Sequence, residues 1–102
     1  MNIISKRTLQ VHRKKFGNAK KPLIDWENTV LRSKWTNLKD VRKIYRNADA
    51  VKVDSGRTLT IFNIKGGKYR LLTCIHYNSG RIYIRDFLPH KIYETNRWKT
   101  LH

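Results

Sequence analysis

Thr58-Leu59-Thr60-Ile61-Phe62-Asn63-Ile64-Lys65-Gly66-Gly67-Lys68-Tyr69-Arg70-Leu71-Leu72 is the stretch on which the fold turns. The β-branched and aromatic residues flanking Gly66-Gly67 fit a pleated, half-buried surface, and the two glycines supply the two positive φ angles of a two-residue hairpin turn. A loop of that length fixes the register, so that Lys65 faces Lys68, Asn63 faces Arg70 and Ile61 faces Leu72. Further along, Tyr69 to Tyr77 and Ile82 to Leu88 read as two more strands, with Ser79-Gly80 as a second two-residue turn. That turn pairs Cys74 with Arg85 and His76 with Tyr83, and sets position 89 opposite Arg70. On the other side, Val51 and Val53 precede a turn at Asp54, Ser55 and Gly56 that leads into the first strand of this meander.

Upstream the period is helical. Ser5 precedes Leu9, His12, Lys15 and Phe16 at helical spacings, and Gly17-Asn18 stops the run. A second helix starts near Lys20, tolerates Pro22 in its first turn and carries the stripe Leu23, Trp26, Val30 and Leu31. Asn37 caps a third, with Leu38, Val41, Ile44 and Tyr45 as its apolar face. Helices followed by a strand meander predict an α+β fold, with N-terminal helices packed on one face of a mostly antiparallel sheet. With 102 residues, no repeat and no linker-like segment, one domain over residues 1–102 and one core are expected.

The hairpin registers sort the strand residues into two faces. Phe62, Ile64, Tyr69, Leu71, Ile75, Ile82, Ile84 and Leu88 fall together as the core face. Asn63, Lys65, Lys68, Arg70, His76, Tyr83 and Arg85 fall on the other, among Ile61, Leu72, Cys74 and Phe87. Cations for phosphates and rings for unstacked bases suit single-stranded RNA. A plain solvated face also carries Lys and Arg, but has little use for Leu72 and Phe87 unless something partly covers them.

Charge points the same way. There are 23 Lys and Arg against 7 Asp and Glu, a net charge of +16. Solubility alone asks for a magnitude of about 2 to 8, so the excess is read as attraction to a polyanion: RNA, DNA, an anionic membrane or an acidic protein. The longest apolar runs are a few residues long, which leaves no bilayer span or signal-peptide core and predicts a cytoplasmic protein. The one cysteine, Cys74, has no partner for an internal disulfide and reads as a buried small hydrophobe. No Cys or His spacing suits zinc, so neither a metal nor a cofactor is expected.

After the last strand, Pro89-His90-Lys91-Ile92-Tyr93 starts a C-terminal helical turn that brings His90 and Tyr93 toward the Lys68 and Arg70 end of the sheet. A His, a Tyr and several cations around one phosphate suit metal-free phosphodiester cleavage by the RNA 2′-hydroxyl. The candidate catalytic residues are therefore Arg70, His90, Tyr93 and Lys68. Candidate RNA contacts are Asn63, Lys65, Arg85, Lys91, His76 and Tyr83. His12 and His102 read as surface groups.

The stretch from Phe62 to Leu71, the later Ile82-Tyr83-Ile84-Arg85, and His90 with Tyr93 resemble the HigB family of toxin-antitoxin mRNA interferases, related to RelE. Ile3-Ile4-Ser5, Lys21-Pro22-Leu23 and Trp35 fit the same family, so the resemblance covers nearly the whole chain, more specifically in the strands than in the helices. It implies a RelE-like α+β fold, cleavage of mRNA on translating ribosomes, and inhibition by a cognate helix-turn-helix antitoxin of the HigA type. Lys65 and Lys68 match the family's basic positions beside the hairpin turn, and Arg70 matches the arginine of its Tyr-Arg-Leu motif. His90 and Tyr93 match the histidine and tyrosine after the last strand. Gly67 stands where the family pattern has Asn, which keeps the positive φ; Pro89 stands where it has Thr, which removes a hydroxyl and stiffens the approach to His90.

Other functions fit these residues less well. A non-catalytic RNA- or DNA-binding protein would use the same basic face, but no base-reading helix is evident. A gyrase-poisoning relative would share the fold and lack the cations, His90 and Tyr93. A membrane-active cationic protein would need the helical stripes that the core uses.

Because several Lys and Arg should each contact a phosphate, binding to RNA should weaken steeply with salt. Replacing Lys65 and Lys68 with Ala should flatten the slope of log affinity against log salt by about 1 to 2 units. Titrations at several salt concentrations measure this, and a parental slope near zero contradicts it.

Overall fold

Gly66 and Gly67 take φ of +62° and +89°, and Lys65 joins them at +54°, so the decisive hairpin closes on three consecutive left-handed residues. The computed structural model describes residues 1–102. Strand β1 is Asn2–Ile4, followed by helices α1 (Lys6–Lys15), α2 (Lys20–Leu31) and α3 (Leu38–Ile44). Strands β2 (Asp49–Lys52), β3 (Thr58–Ile64), β4 (Tyr69–His76) and β5 (Arg81–Pro89) come next, then short helices α4 (His90–Glu94) and α5 (Trp98–Leu101). The sheet order is β1-β5-β4-β3-β2, antiparallel except for β1, which runs parallel to β5. Asn37 caps α3 as its sequence position suggests, its side chain accepting the Asp40 N–H at 2.9 Å.

The β3–β4 register is the expected one, with Ile61 opposite Leu72 and Asn63 opposite Arg70. The β4–β5 register is not. Cys74 faces Tyr83 and His76 faces Arg81, two residues away from the pairing expected of a Ser79-Gly80 turn. A two-residue type I′ turn needs two left-handed residues. Here only Gly80 takes a positive φ, so Tyr77–Ser79 form a 3-10 turn ahead of it and the loop lengthens. A shift of two leaves every side chain on its face, whereas one extra residue flips those beyond it. Such a bulge lies at Leu72/Thr73, where the β5 partners jump from Asp86 to Ile84. Beyond it, Phe87 turns into the core and Leu88 to the opposite face, the reverse of the expectation, and Pro89 sits opposite Tyr69 rather than Arg70.

The main core lies between the sheet and the helices. Phe62 is its centre, with Trp26, Trp35 and Tyr45 at ring-centroid distances of 5.3, 6.0 and 5.2 Å. Leu9, Leu23, Val30 and Val41 bring the helical stripes onto it, while Leu31 and Ile44, expected in those stripes, are exposed. Arg13 on α1 bridges Glu27 on α2 at 3.2 Å.

A second cluster covers the other face of the sheet, against the expectation of a single core: Val53, Leu59, Ile61, Leu72 and Trp98, with Val51, Cys74, Leu88 and Tyr93 packed around them. Trp98 arrives from the C-terminal segment, which crosses this face and is pinned by Asp54 N–H to Lys99 O (3.0 Å), Ser55 Oγ–H to His102 O (2.8 Å) and His102 Nε2 to Asp86 Oδ2 (3.3 Å). What partly covers Leu72 is thus the chain itself. Removing a buried Trp side chain typically costs about 3 to 5 kcal/mol, so Trp98 anchors the segment.

Neither His12 nor His102 is a free surface group. The His102 side chain is 13% exposed, beside Asp86. His12 is half-buried against Phe87, ring centroids 5.7 Å apart, with its Nδ1 buried and unpartnered. Burial lowers its pKa below 6.5, Asp86 opposing the shift and Lys15 adding to it. Between 6.5 and that lower value the unfolded chain takes up a proton that the folded one does not, so stability falls as pH drops through this window. Denaturant unfolding at stepped pH should show this decline in the parental protein and a weaker one in His12→Gln; equal slopes contradict it.

Candidate active site at the hairpin end

Pro89 ends β5 opposite Tyr69, and the chain turns at once into α4. The His90 N–H donates to the Lys68 carbonyl at 2.9 Å, so backbone alone ties the start of α4 to the Gly66-Gly67 hairpin. Gly66, Gly67, Lys68, Pro89, His90 and Lys91 line an open cleft of about 430 Å³. A phosphate-sized group fits such a space, and the backbone of two glycines lets it approach closely.

Arg70 rises from β4 beside this cleft, half-buried. Its Nη1 donates to the carbonyl of Gly67 and, at 3.4 Å, to that of Tyr69. Its guanidinium carbon lies 5.3 Å from the centroid of the Tyr93 ring, a cation-π contact. A Cβ at position 67 would meet Arg70 Nη1 at 3.3 Å. Gly67 therefore does more than keep a positive φ: it leaves room for the guanidinium to fold back onto the turn. The remaining donors of the fork are free for an anion.

Tyr93 is half-buried, and burial raises its hydroxyl pKa above 10, the Arg70 charge pulling the other way. Its ring lies parallel to that of Trp98, centroids 5.0 Å apart and planes 13° apart. His90 Nε2 lies 2.7 Å from Glu94 Oε1, one helical turn on, with both side chains largely exposed. The sequence reading missed Glu94 and Trp98. Glu94 was accessible through its i, i+4 spacing from His90 once α4 was assigned; Trp98 follows an Asn96 in left-handed conformation, and no stripe leads to it.

The structure thus brings Lys68, Arg70, His90 and Tyr93 to one end of the sheet. Asn63, opposite Arg70, and Lys65, in the turn, lie at the same end, as does Lys91 in the cleft wall. His76 and Tyr83 lie farther along the sheet, and Arg85 sits in the bulge opposite Leu72 and Thr73. His76 lies six residues along β4 from Arg70, or about 20 Å at strand rise; Tyr83, which it meets edge to face at 5.1 Å, sits opposite Cys74, four residues from Arg70. Cys74 is half-buried there rather than a core residue, its Sγ 3.7 Å from His76 Nε2. The open basic face expected from the sequence is divided, because the C-terminal segment covers its middle. No three His, Cys, Asp or Glu side chains come together anywhere in the chain.

Residues 19–96, which include the hairpin, β4, β5 and α4, match the HigB_toxin family, described as the RelE-like toxic component of a toxin-antitoxin system. The chain belongs to the HigB toxin family. Among curated relatives, the mRNA interferase toxin HigB of Escherichia coli (strain K12) is 22% identical over 94 residues, covering 92% of this chain and 88% of the relative. The mRNA interferase HigB of Escherichia coli O157:H7 and that of Shigella flexneri match to the same extent. As in the sequence reading, the fold of this HigB toxin is α+β; no helix in it is long and apolar enough to cross a membrane.

Since Arg70 is the charge that opposes the rise in the Tyr93 pKa, Arg70→Ala should move that pKa further up. The phenolate titration of ring-labelled Tyr93, followed by NMR and assigned against Tyr93→Phe, measures it. An unchanged or lower midpoint in folded Arg70→Ala contradicts the contact.

Proposed function

We propose that this HigB toxin is an mRNA interferase, an endoribonuclease that cleaves message on the ribosome and so stops translation in the cytoplasm. The observation that carries the reading is that His90, tethered to Lys68, lines the hairpin-end cleft, while Arg70, bonded to the Gly67 carbonyl in the wall of that cleft, holds its guanidinium against the Tyr93 ring. Two proton carriers beside a half-buried guanidinium are what transfer of a phosphoryl group to a neighbouring hydroxyl requires.

The step is a displacement at phosphorus. The 2′-oxygen bonds to the adjacent phosphorus, the bond to the 5′-oxygen breaks, and the ends are a 2′,3′-cyclic phosphate and a 5′-hydroxyl. One proton leaves the 2′-oxygen and one reaches the 5′-oxygen, with no change of oxidation state. His90, oriented by Glu94, accepts the first. Tyr93, a phenol that carries its proton at neutral pH, supplies the second. Arg70 and Lys68 hold the phosphate and oppose the charge that builds on its oxygens. These groups need no metal for the step.

Asn63, Lys65 and Lys91, at the same end of the sheet, are assigned to the nucleotides next to the cut. His76 and Tyr83, farther along β4 and β5, are assigned to more distant nucleotides or to ribosomal RNA, and Arg85, in the bulge opposite Leu72 and Thr73, to nucleotides between them and the cut. As the toxic component of a toxin-antitoxin pair, the protein is held in check by a cognate antitoxin, for which we propose a helix-turn-helix protein of the HigA type.

The test is single-turnover cleavage of ribosome-bound message, with circular dichroism on each variant. Arg70→Ala should slow cleavage by about 10²- to 10³-fold, the usual effect of losing one preorganised charge donor. If folded Arg70→Ala and His90→Ala both cleave at the parental rate, the site is elsewhere.

A further inference from the structure

We infer that Trp98, which no part of the cleavage chemistry uses, is a positioning residue: stacked against Tyr93, it fixes the ring on which the Arg70 guanidinium rests. The inference rests on the reading of the hairpin-end cleft as the cleavage site.

Tyr93 cannot hold its own place. It sits on α4, five residues long and without a buried residue, and a helix of that length is not stable by itself. Its position must be imported from packed elements, and Trp98 is the buried group that holds both its ring and its backbone. Trp98 lies parallel to the Tyr93 ring at 5.0 Å and donates its Nε1–H to the Tyr93 carbonyl at 2.9 Å, fixing both ring and backbone. Trp98 itself is 3% exposed, set among Val53, Leu59, Ile61 and Leu72 on the sheet. Its flanks are held by Asp54 N–H on Lys99 O and by His102 on Asp86 and Ser55. A continuous stack therefore runs from the sheet through Trp98 and Tyr93 to Arg70, whose guanidinium carbon is 5.3 Å from the Tyr93 centroid. Without the indole, the phenol and the guanidinium lose their common reference, and misplacing a reacting group by about 1 Å can cost about 10²-fold in rate.

The experiment compares parental protein, Trp98→Phe, Trp98→Met, Val53→Ala and Arg70→Ala in single-turnover cleavage of ribosome-bound message, at a temperature where circular dichroism shows each to be folded. Maximal rate and half-saturating toxin concentration are read separately, together with the NMR resonances of the labelled Tyr93 ring. Trp98→Met, which keeps bulk but no ring, should lower the maximal rate by about 10- to 100-fold and leave half-saturation within about twofold. Trp98→Phe, which keeps a ring but not the N–H, should fall between it and the parent. Both should displace the Tyr93 resonances. Val53→Ala trims the same cluster but leaves the indole and its Nε1–H on the Tyr93 carbonyl in place, and should keep the parental rate and resonances. The proposal is overturned if Trp98→Met cleaves at the parental maximal rate, or if Val53→Ala loses as much as Trp98→Met. Should Trp98→Met not fold, Trp98→Phe decides: an unmoved Tyr93 resonance with a parental rate overturns the proposal. Should Arg70→Ala cleave like the parent, it is the reading of the cleft that fails, and through-space contacts between the Tyr93 ring and Arg70, present in the parent and lost in Trp98→Met, still report whether Trp98 positions the ring.

Discussion

A sheet that is apolar on both faces has to be covered twice, and this constraint shapes everything at the functional end of the molecule. Phe62, Ile64 and Leu71 bury one face under the helices; Leu59, Ile61 and Leu72 leave the other in need of a cover. The chain supplies it by folding its last residues back across β3 and β4 with Trp98 as the wedge. To reach that position from the end of β5, the chain must turn at Pro89 beside the Gly66-Gly67 hairpin. His90 and Tyr93 are the residues of that turn. Covering the sheet and building the cleft are one event, which is why the cleft lies at the sheet's end and not on its open middle.

Arg70 shows how a strongly basic protein keeps one cation distinct from the others. With a net charge of +16, most Lys and Arg simply raise the potential around the molecule and draw in a polyanion. Arg70 is instead held between two carbonyls and a tyrosine ring, which removes most of its rotamer freedom before any phosphate arrives. Lys68 and Lys91, on the rim of the cleft, lack such partners. The division suits a site where diffuse charge gathers RNA and a single fixed guanidinium orients it.

How much of this could be read in advance depended on how locally each feature is encoded. The Gly66-Gly67 hairpin was legible because two adjacent glycines satisfy both demanding φ angles, and Asn63, Lys68 and Arg70 followed from its register. The three long helices were legible from their stripes and from the Asn37 cap. Ser79-Gly80 misled because one glycine supplies only one positive φ. The bulge near Arg85 and Asp86 carries no glycine or proline to mark it, so Phe87 and Leu88 exchanged faces unannounced. β1 is three residues long and owes its strand conformation to β5. The C-terminal cover was illegible for a related reason: α4 and α5 are too short to show a period, and Trp98 is placed by tertiary packing alone. His12 and His102, read as surface groups, are fixed by Phe87 and Asp86, both beyond the unseen bulge.

The central claim is that the cleft works by transfer to the neighbouring 2′-hydroxyl, with His90 and Tyr93 moving the protons and Arg70 holding the phosphate. The most direct measurement is cleavage of ribosome-bound message carrying a single 2′-deoxy nucleotide at the cut position, in chelator, with the product ends identified. The account predicts that the all-ribose message is cut to a 2′,3′-cyclic phosphate and a 5′-hydroxyl, and that the deoxy-substituted message survives at that position. Cleavage of the deoxy-substituted message at the same bond, or 5′-phosphate ends from the all-ribose one, would contradict it.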